Sequence, residues 1–153
     1  MGHTNYFEQH RHLTKPEWQQ IGTFAKQLFA YDRSHDKLLA NGQGEADSAP
    51  EVTTDSIWFN GIEDAAHETM SIDREGNGFQ FCKTAQKPYD KFVVALLCYI
   101  DAVAPKAFRI ASDGLKSDWK EGLDLAILVA NGNVATQGVD IKIPVGVKGS
   151  YDE

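Results

Sequence analysis

Pro88-Tyr89-Asp90-Lys91-Phe92-Val93-Val94-Ala95-Leu96-Leu97-Cys98-Tyr99-Ile100-Asp101-Ala102-Val103 is the stretch that decides the fold of this 153-residue chain. From Phe92 to Ile100 every side chain is apolar or aromatic, with no polar stripe at helical spacing. A helix without a solvent face has to lie at the centre of a core. Pro88 suits a first helical position, where its missing N–H costs nothing, and Asp90 complements the positive end of the dipole. Pro105 marks the end. Helix 88–103 is therefore read as the buried centre, with Cys98 as core filling, and the other segments are read for what covers it.

Upstream, residues 14–31 form an amphipathic helix. Thr14 and Glu17 have capping-box spacing, and Trp18, Ile21, Ala25 and Leu28 share one face, widened by Phe24 and Tyr31. Residues 41–50 carry the turn formers of an exposed loop. Strands follow at 56–60, with Ile57-Trp58-Phe59, and at 67–73, where Met70 and Ile72 alternate with Thr69 and Ser71. Gly61 to Ala66 closes them into an antiparallel hairpin. A third strand, 79–83, comes after the Glu75-Gly76-Asn77-Gly78 turn.

Downstream, Ala107 to Ser112 reads as a strand with Phe108 and Ile110 inward and Arg109 outward. Ser117 caps a last helix running to Ala130, and Asn131-Gly132 stops it. In the tail 133–153, Val139, Ile141, Ile143, Val145 and Val147 alternate with polar or small residues, which predicts a strand over 139–147. Pro144 restricts it to an edge, where it either joins its own sheet or pairs with a second subunit as a homodimer contact. The expected fold is α+β: a two-layer sandwich in one domain, 1–132, with a mainly antiparallel sheet packed against helices around helix 88–103.

Composition narrows the function. Twenty-two acidic against 15 basic residues give a formal charge of −7, which disfavours non-specific binding to nucleic acid or anionic lipid. No apolar run reaches the length of a membrane span, and Met1-Gly2-His3-Thr4 lacks the pattern of a signal peptide. With only Cys82 and Cys98 there is no disulfide framework, so a reduced, soluble, cytoplasmic protein is expected.

The chemistry-bearing residues crowd into 55–91 and 112–120. Asn60 and His67 face each other near the hairpin loop, with Glu63, Asp64 and Glu68 close by. A His beside carboxylates can act as acid or base; equally, Asn60-Gly61 can serve a turn and the acids be solvated. His67-Glu68 lacks the second His of a zinc helix. Lys83, Thr84, Lys87 and Lys91 lead into helix 88–103, where ammonium groups and free amides can hold an anion. The lysines can also be merely solubilising. The glycines of a P-loop are absent, and no cofactor is expected. Cys82 is the one nucleophile candidate, with Lys83 and the helix start as groups that would lower its pKa; otherwise it fills the core. His10-Arg11-His12, with His3 and His35 elsewhere, matches no metal-ligand spacing. Asp113 either turns the chain or lines a site at the end of strand 107–112.

Phe59-Asn60-Gly61, His67-Glu68-Thr69, Phe81-Cys82-Lys83-Thr84-Ala85, Lys87-Pro88-Tyr89-Asp90 and Ser112-Asp113-Gly114 together resemble an uncharacterised family of small bacteriophage and mobile-element proteins. The likeness runs from Gly2-His3-Thr4 through the last helix and stops at Gly132. It implies a phage setting, in the host cytoplasm, without assigning an activity, and Gln86 stands where the pattern has a basic residue. The expectation that follows is a small accessory protein acting by binding. Its ligand would be an anionic or nucleotide-like small molecule near Asn60, His67, Glu68, Lys83, Thr84, Lys87 and Asp113, or a host protein. The alternatives are an acidic module that occupies a host nucleic-acid enzyme, and a small enzyme using His67 with Glu68 or Cys82.

Overall fold

The computed structural model describes residues 3–149. In chain order these are β1 (Thr4–Gln9), α1 (Lys15–Ser34), β2 (Leu39–Ala40), β3 (Glu51–Val52) and β4 (Ser56–Gly61). A 3-10 turn (Glu63–Ala65), β5 (Met70–Asp73), β6 (Gly78–Lys83), α2 (Asp90–Val103), β7 (Phe108–Ser112) and α3 (Lys116–Asn131) follow. The architecture is α+β, as the hydrophobic pattern predicts. One sheet has the order β6-β1-β7, antiparallel throughout. In the other, β4 is the shared strand, and β2, β3 and β5 all pair with it antiparallel.

Helix α2 is the centre. Every side chain from Phe92 to Ile100 is fully buried, each contributing roughly 1.5–3 kcal/mol if large and apolar. It packs between α1 and α3. Tyr99 stacks on Phe24 of α1 with ring centroids 4.0 Å apart, and its hydroxyl accepts from Gln20 at the core margin. Gly122 on α3 is required by this packing: a Cβ there would lie 2.4 Å from Val94. Helix α1 reaches the second sheet, where Phe29 meets Phe59. The first sheet is attached through Phe7 and Phe108. The α1 start carries the expected capping box, with Thr14 and Glu17 satisfying each other's backbone amides.

Several elements differ from the sequence reading, the short strands β2 and β3 among them. The strand placed at 67–73 begins only at Met70, because the Asn60 side chain takes both the N–H and the C=O of His67. Those groups are then lost to the ladder, which ends at the Phe59–Met70 pair. Pro88 lies in a turn before α2, which starts at Asp90. Ser117 does not cap α3; Asp118 accepts from the Leu115 N–H at 2.8 Å instead. Strand β1 was not foreseen, since its inward residues Asn5 and Gln9 are polar and hide the alternation.

The segment 139–147 is not a strand. Ile141, Ile143 and Val147 are buried, as the alternation requires, but the chain turns at Pro144, where Val147 N–H donates to the Pro144 carbonyl. Gly146 lies so close to the Ile110 carbonyl that a Cβ would sit 2.0 Å from it. A single parallel bridge, Leu115 to Lys148, ties this segment down. Its apolar residues therefore cover the β7 side of their own chain, while Val145 is fully exposed. Gly2 and residues 150–153 of the expected tail lie outside the described residues.

Candidate functional site

The residues singled out by sequence meet at one end of the molecule, where the 62–69 and 83–89 loops lie together. Glu68 N–H donates to the Lys83 carbonyl, and Lys83 N–H donates to Glu68 Oε1 at 2.7 Å. Lys87 Nζ donates to the Asp64 carbonyl at 2.8 Å. Tyr89 OH donates to the Glu68 carbonyl at 2.6 Å. Buried Asn60 donates to the Gly42 and His67 carbonyls and accepts from Gly61 N–H and His67 N–H. Its four bonds make it a clamp for the loop. The His67 ring is exposed and has no hydrogen-bond partner among the described residues.

The start of α2 already has its anion. Asp90 Oδ1 accepts from Thr84 Oγ1 at 2.6 Å and from Asn5 Nδ2 at 2.9 Å, with His3 Nε2 3.8 Å away. Asn5 Oδ1 in turn accepts from Ser112 Oγ at 2.7 Å. This half-buried carboxylate in the first turn of α2 complements the positive end of the helix dipole, while its hydrogen bonds come from Thr84 and Asn5. Lys91 is paired with Asp36 at 3.0 Å and sits 3.9 Å from Glu121. Of the groups expected to form an anion cradle, Thr84 is bonded to Asp90, Lys87 to the Asp64 carbonyl and Lys91 to Asp36, and the Lys83 ammonium has no partner among the described residues.

Cys82 does not have the environment of a nucleophile. Its thiol is fully buried and aimed at the Glu68 carbonyl. Burial pushes its pKa up to about 12, against the expected lowering by Lys83 and the helix start. Asp113 both turns the chain and holds the sheet edge: its carboxylate accepts from Thr4 N–H at 3.1 Å and Tyr6 OH at 2.8 Å. The hydrogen bond to Asp113 raises the Tyr6 pKa, so the phenol stays protonated. Among the described residues no three His, Cys, Asp or Glu converge as metal ligands. No helix there is long and apolar enough to cross a membrane.

What the sequence reasoning missed is the outer face of the β6-β1-β7 sheet. The register aligns Tyr6 with Phe81 and Ala111, and Glu8 with Phe79 and Arg109, in successive rows. Phe79 is 62% and Phe81 53% exposed, a large cost for aromatic rings left in water. The three rings form a run: Tyr6 stacks on Phe79 at 5.9 Å, and Phe79 lies 6.1 Å from Phe81. Lys83 stands at one corner and Arg109 at the opposite one. Neither has an ion-pair partner among the described residues. The signal was present in the alternation of Phe79 and Phe81 with Gln80 and Cys82. It was masked because either set can be read as the buried one until β1 supplies the partner strand.

Comparison of the chain with protein-family models, curated proteins and solved structures finds no match. The functional reading therefore rests on the geometry of these groups.

Proposed function

We propose that this protein is a binding module whose ligand is a nucleotide-like small molecule, with a flat ring laid on the outer face of the β6-β1-β7 sheet. The observation that carries the reading is the uncovered run Tyr6–Phe79–Phe81, flanked by two cations without carboxylate partners. An aromatic ring presents a face that stacks on any base, and a neighbouring cation favours an anionic substituent. Asn60, Glu68, Thr84 and Asp113 act in this reading as scaffold, fixing the ends of the strands that carry the rings. In the phage setting implied by the resemblance, such a module would sequester or sense a nucleotide of the infected cell. The acidic-mimic alternative has less support, because exposed acids such as Glu8 and Asp113 share this face with Lys83 and Arg109.

The test is a calorimetric titration with adenosine monophosphate, using ribose 5-phosphate as the ringless control. Stacking is worth about 1–3 kcal/mol per ring, so Phe79→Ala should weaken binding roughly 5- to 150-fold. Being exposed, the substitution should leave the melting temperature nearly unchanged. Equal binding of both compounds, or of wild type and Phe79→Ala, would sink the reading.

A further inference from the structure

A cleft of about 590 Å³ opens beside the same sheet, lined by His10, Asp101, Lys106, Phe108, Arg109 and the turn Pro144–Gly146. Three of its groups, His10, Lys106 and Arg109, are nitrogen donors of basic side chains. In a chain of formal charge −7 this is a local reversal of sign. Among the described residues neither Lys106 nor Arg109 has an ion-pair partner, and His10 meets only Glu8, at 3.7 Å. The one acid lining the cleft, Asp101, is half-buried near the end of α2. Lys106 is held with φ at 69°, a conformation a non-glycine residue adopts only when its surroundings impose it. On the opposite wall Gly146 packs directly against the Ile110 carbonyl.

The cleft and the aromatic run are connected. Phe79 and Arg109 both stand opposite Glu8, on either side of β1, with their side chains on the same outer face. Two strand spacings separate them by about 10 Å. A sugar bridges such a gap between a ring on Phe79 and phosphate at Arg109, and guanidinium geometry suits bidentate phosphate contact. We infer that this cleft is the phosphate subsite of the face described above, so that the ligand is a phosphorylated nucleoside with its phosphates between Arg109, Lys106 and His10.

The inference rests on the stacking reading, and the experiment separates their failures. Adenosine, its mono-, di- and triphosphates and free pyrophosphate are titrated against wild type, Phe79→Ala, Arg109→Ala and Lys106→Ala at fixed salt. Each phosphate that gains a charge-assisted bond should tighten binding about tenfold or more over adenosine. Arg109→Ala and Lys106→Ala should flatten that series while leaving adenosine itself unchanged. Adenosine and its triphosphate binding equally well would overturn the subsite and leave the stacking face standing. Pyrophosphate binding that needs Arg109, with no binding of adenosine, would support the subsite and overturn the stacking face. A single-stranded oligonucleotide binding where no mononucleotide does would overturn the small-ligand assignment itself, as would a phosphate series untouched by Arg109→Ala.

Discussion

Asn60→Ala distinguishes a scaffold residue from a ligand-binding one. The Asn60 side chain makes four hydrogen bonds of 2.7–3.1 Å, to Gly61 N–H, His67 N–H, the His67 carbonyl and the Gly42 carbonyl. Each is worth about 1 kcal/mol net. The buried Gly61 N–H would be left unpaired, whereas the Gly42 carbonyl keeps its bond from the Thr69 hydroxyl and the groups of His67 can turn to water. The expected loss is therefore about 2–3 kcal/mol, which in a chain of this size lowers the melting temperature by about 8 °C. Circular dichroism melts and urea titrations measure it, the urea slope staying constant if the native state is otherwise intact. Asn60→Asp should be worse than alanine at neutral pH, since it presents a carboxylate oxygen to two carbonyls. It should recover partly in acid, when the protonated carboxyl can donate to one of them. A melt within about 2 °C of wild type for Asn60→Ala would refute the clamp and return Asn60 to the list of residues free to bind a ligand.

Two further outcomes follow from the ionisable groups. A Cys82 thiol whose pKa is pushed to about 12 should resist alkylation at pH 7 and label only at the slow rate of opening, together with Cys98; rapid selective labelling of Cys82 in the folded protein would reverse that assignment. The Glu17 carboxyl is held down to about 2 from 4.5, chiefly by the Arg11 side chain 2.9 Å away. A depressed folded-state pKa stabilises the protein above about pH 4.5, and the contribution is lost as pH falls towards 2. Discounted for the solvent that reaches Arg11, it amounts to about 1 kcal/mol. The melting-temperature gap between wild type and Arg11→Ala should close over that range, and a pH-independent gap would mean that the loss is one of packing.

Helices were legible because their signals are local. The unbroken apolar run of α2, the capping box of α1 and the Gly132 stop need no knowledge of distant residues. The sheet was less so. Strand β1 turns Asn5 and Gln9 inward, where Asn5 bonds to Ser112 and Asp90 and Gln9 Nε2 donates to the Arg11 and Arg74 carbonyls, partners between 2 and 107 residues away in sequence. An alternation rule that scores polarity alone assigns such a strand to the wrong face or to none. The tail failed in the opposite way. Its period of two was real, as the burial of Ile141, Ile143 and Val147 shows, but Pro144 and the close approach of Gly146 to Ile110 leave no room for a ladder. Burial pattern and hydrogen-bonded strand are separate properties, and the sequence reports only the first.

The same distinction explains why the residues that look most chemical are the ones most used internally. Asp90, Glu68 and Asp113 are each bound to groups on the ends of β1 and β6: Asp90 to Asn5 and Thr84, Glu68 to Lys83 N–H, Asp113 to Thr4 N–H and Tyr6 OH. A carboxylate bonded to the fold in this way fixes what it holds. Held in this way, β1 and β6 present Tyr6, Phe79 and Phe81 as a preformed surface, and preformation removes part of the ordering cost of binding. Carboxylates bonded into one end of the sheet and uncovered aromatic groups on its face are then two halves of one arrangement. The carboxylates determine where the rings stand, and the rings, with Arg109 and Lys83 at their corners, are what remains free to meet another molecule.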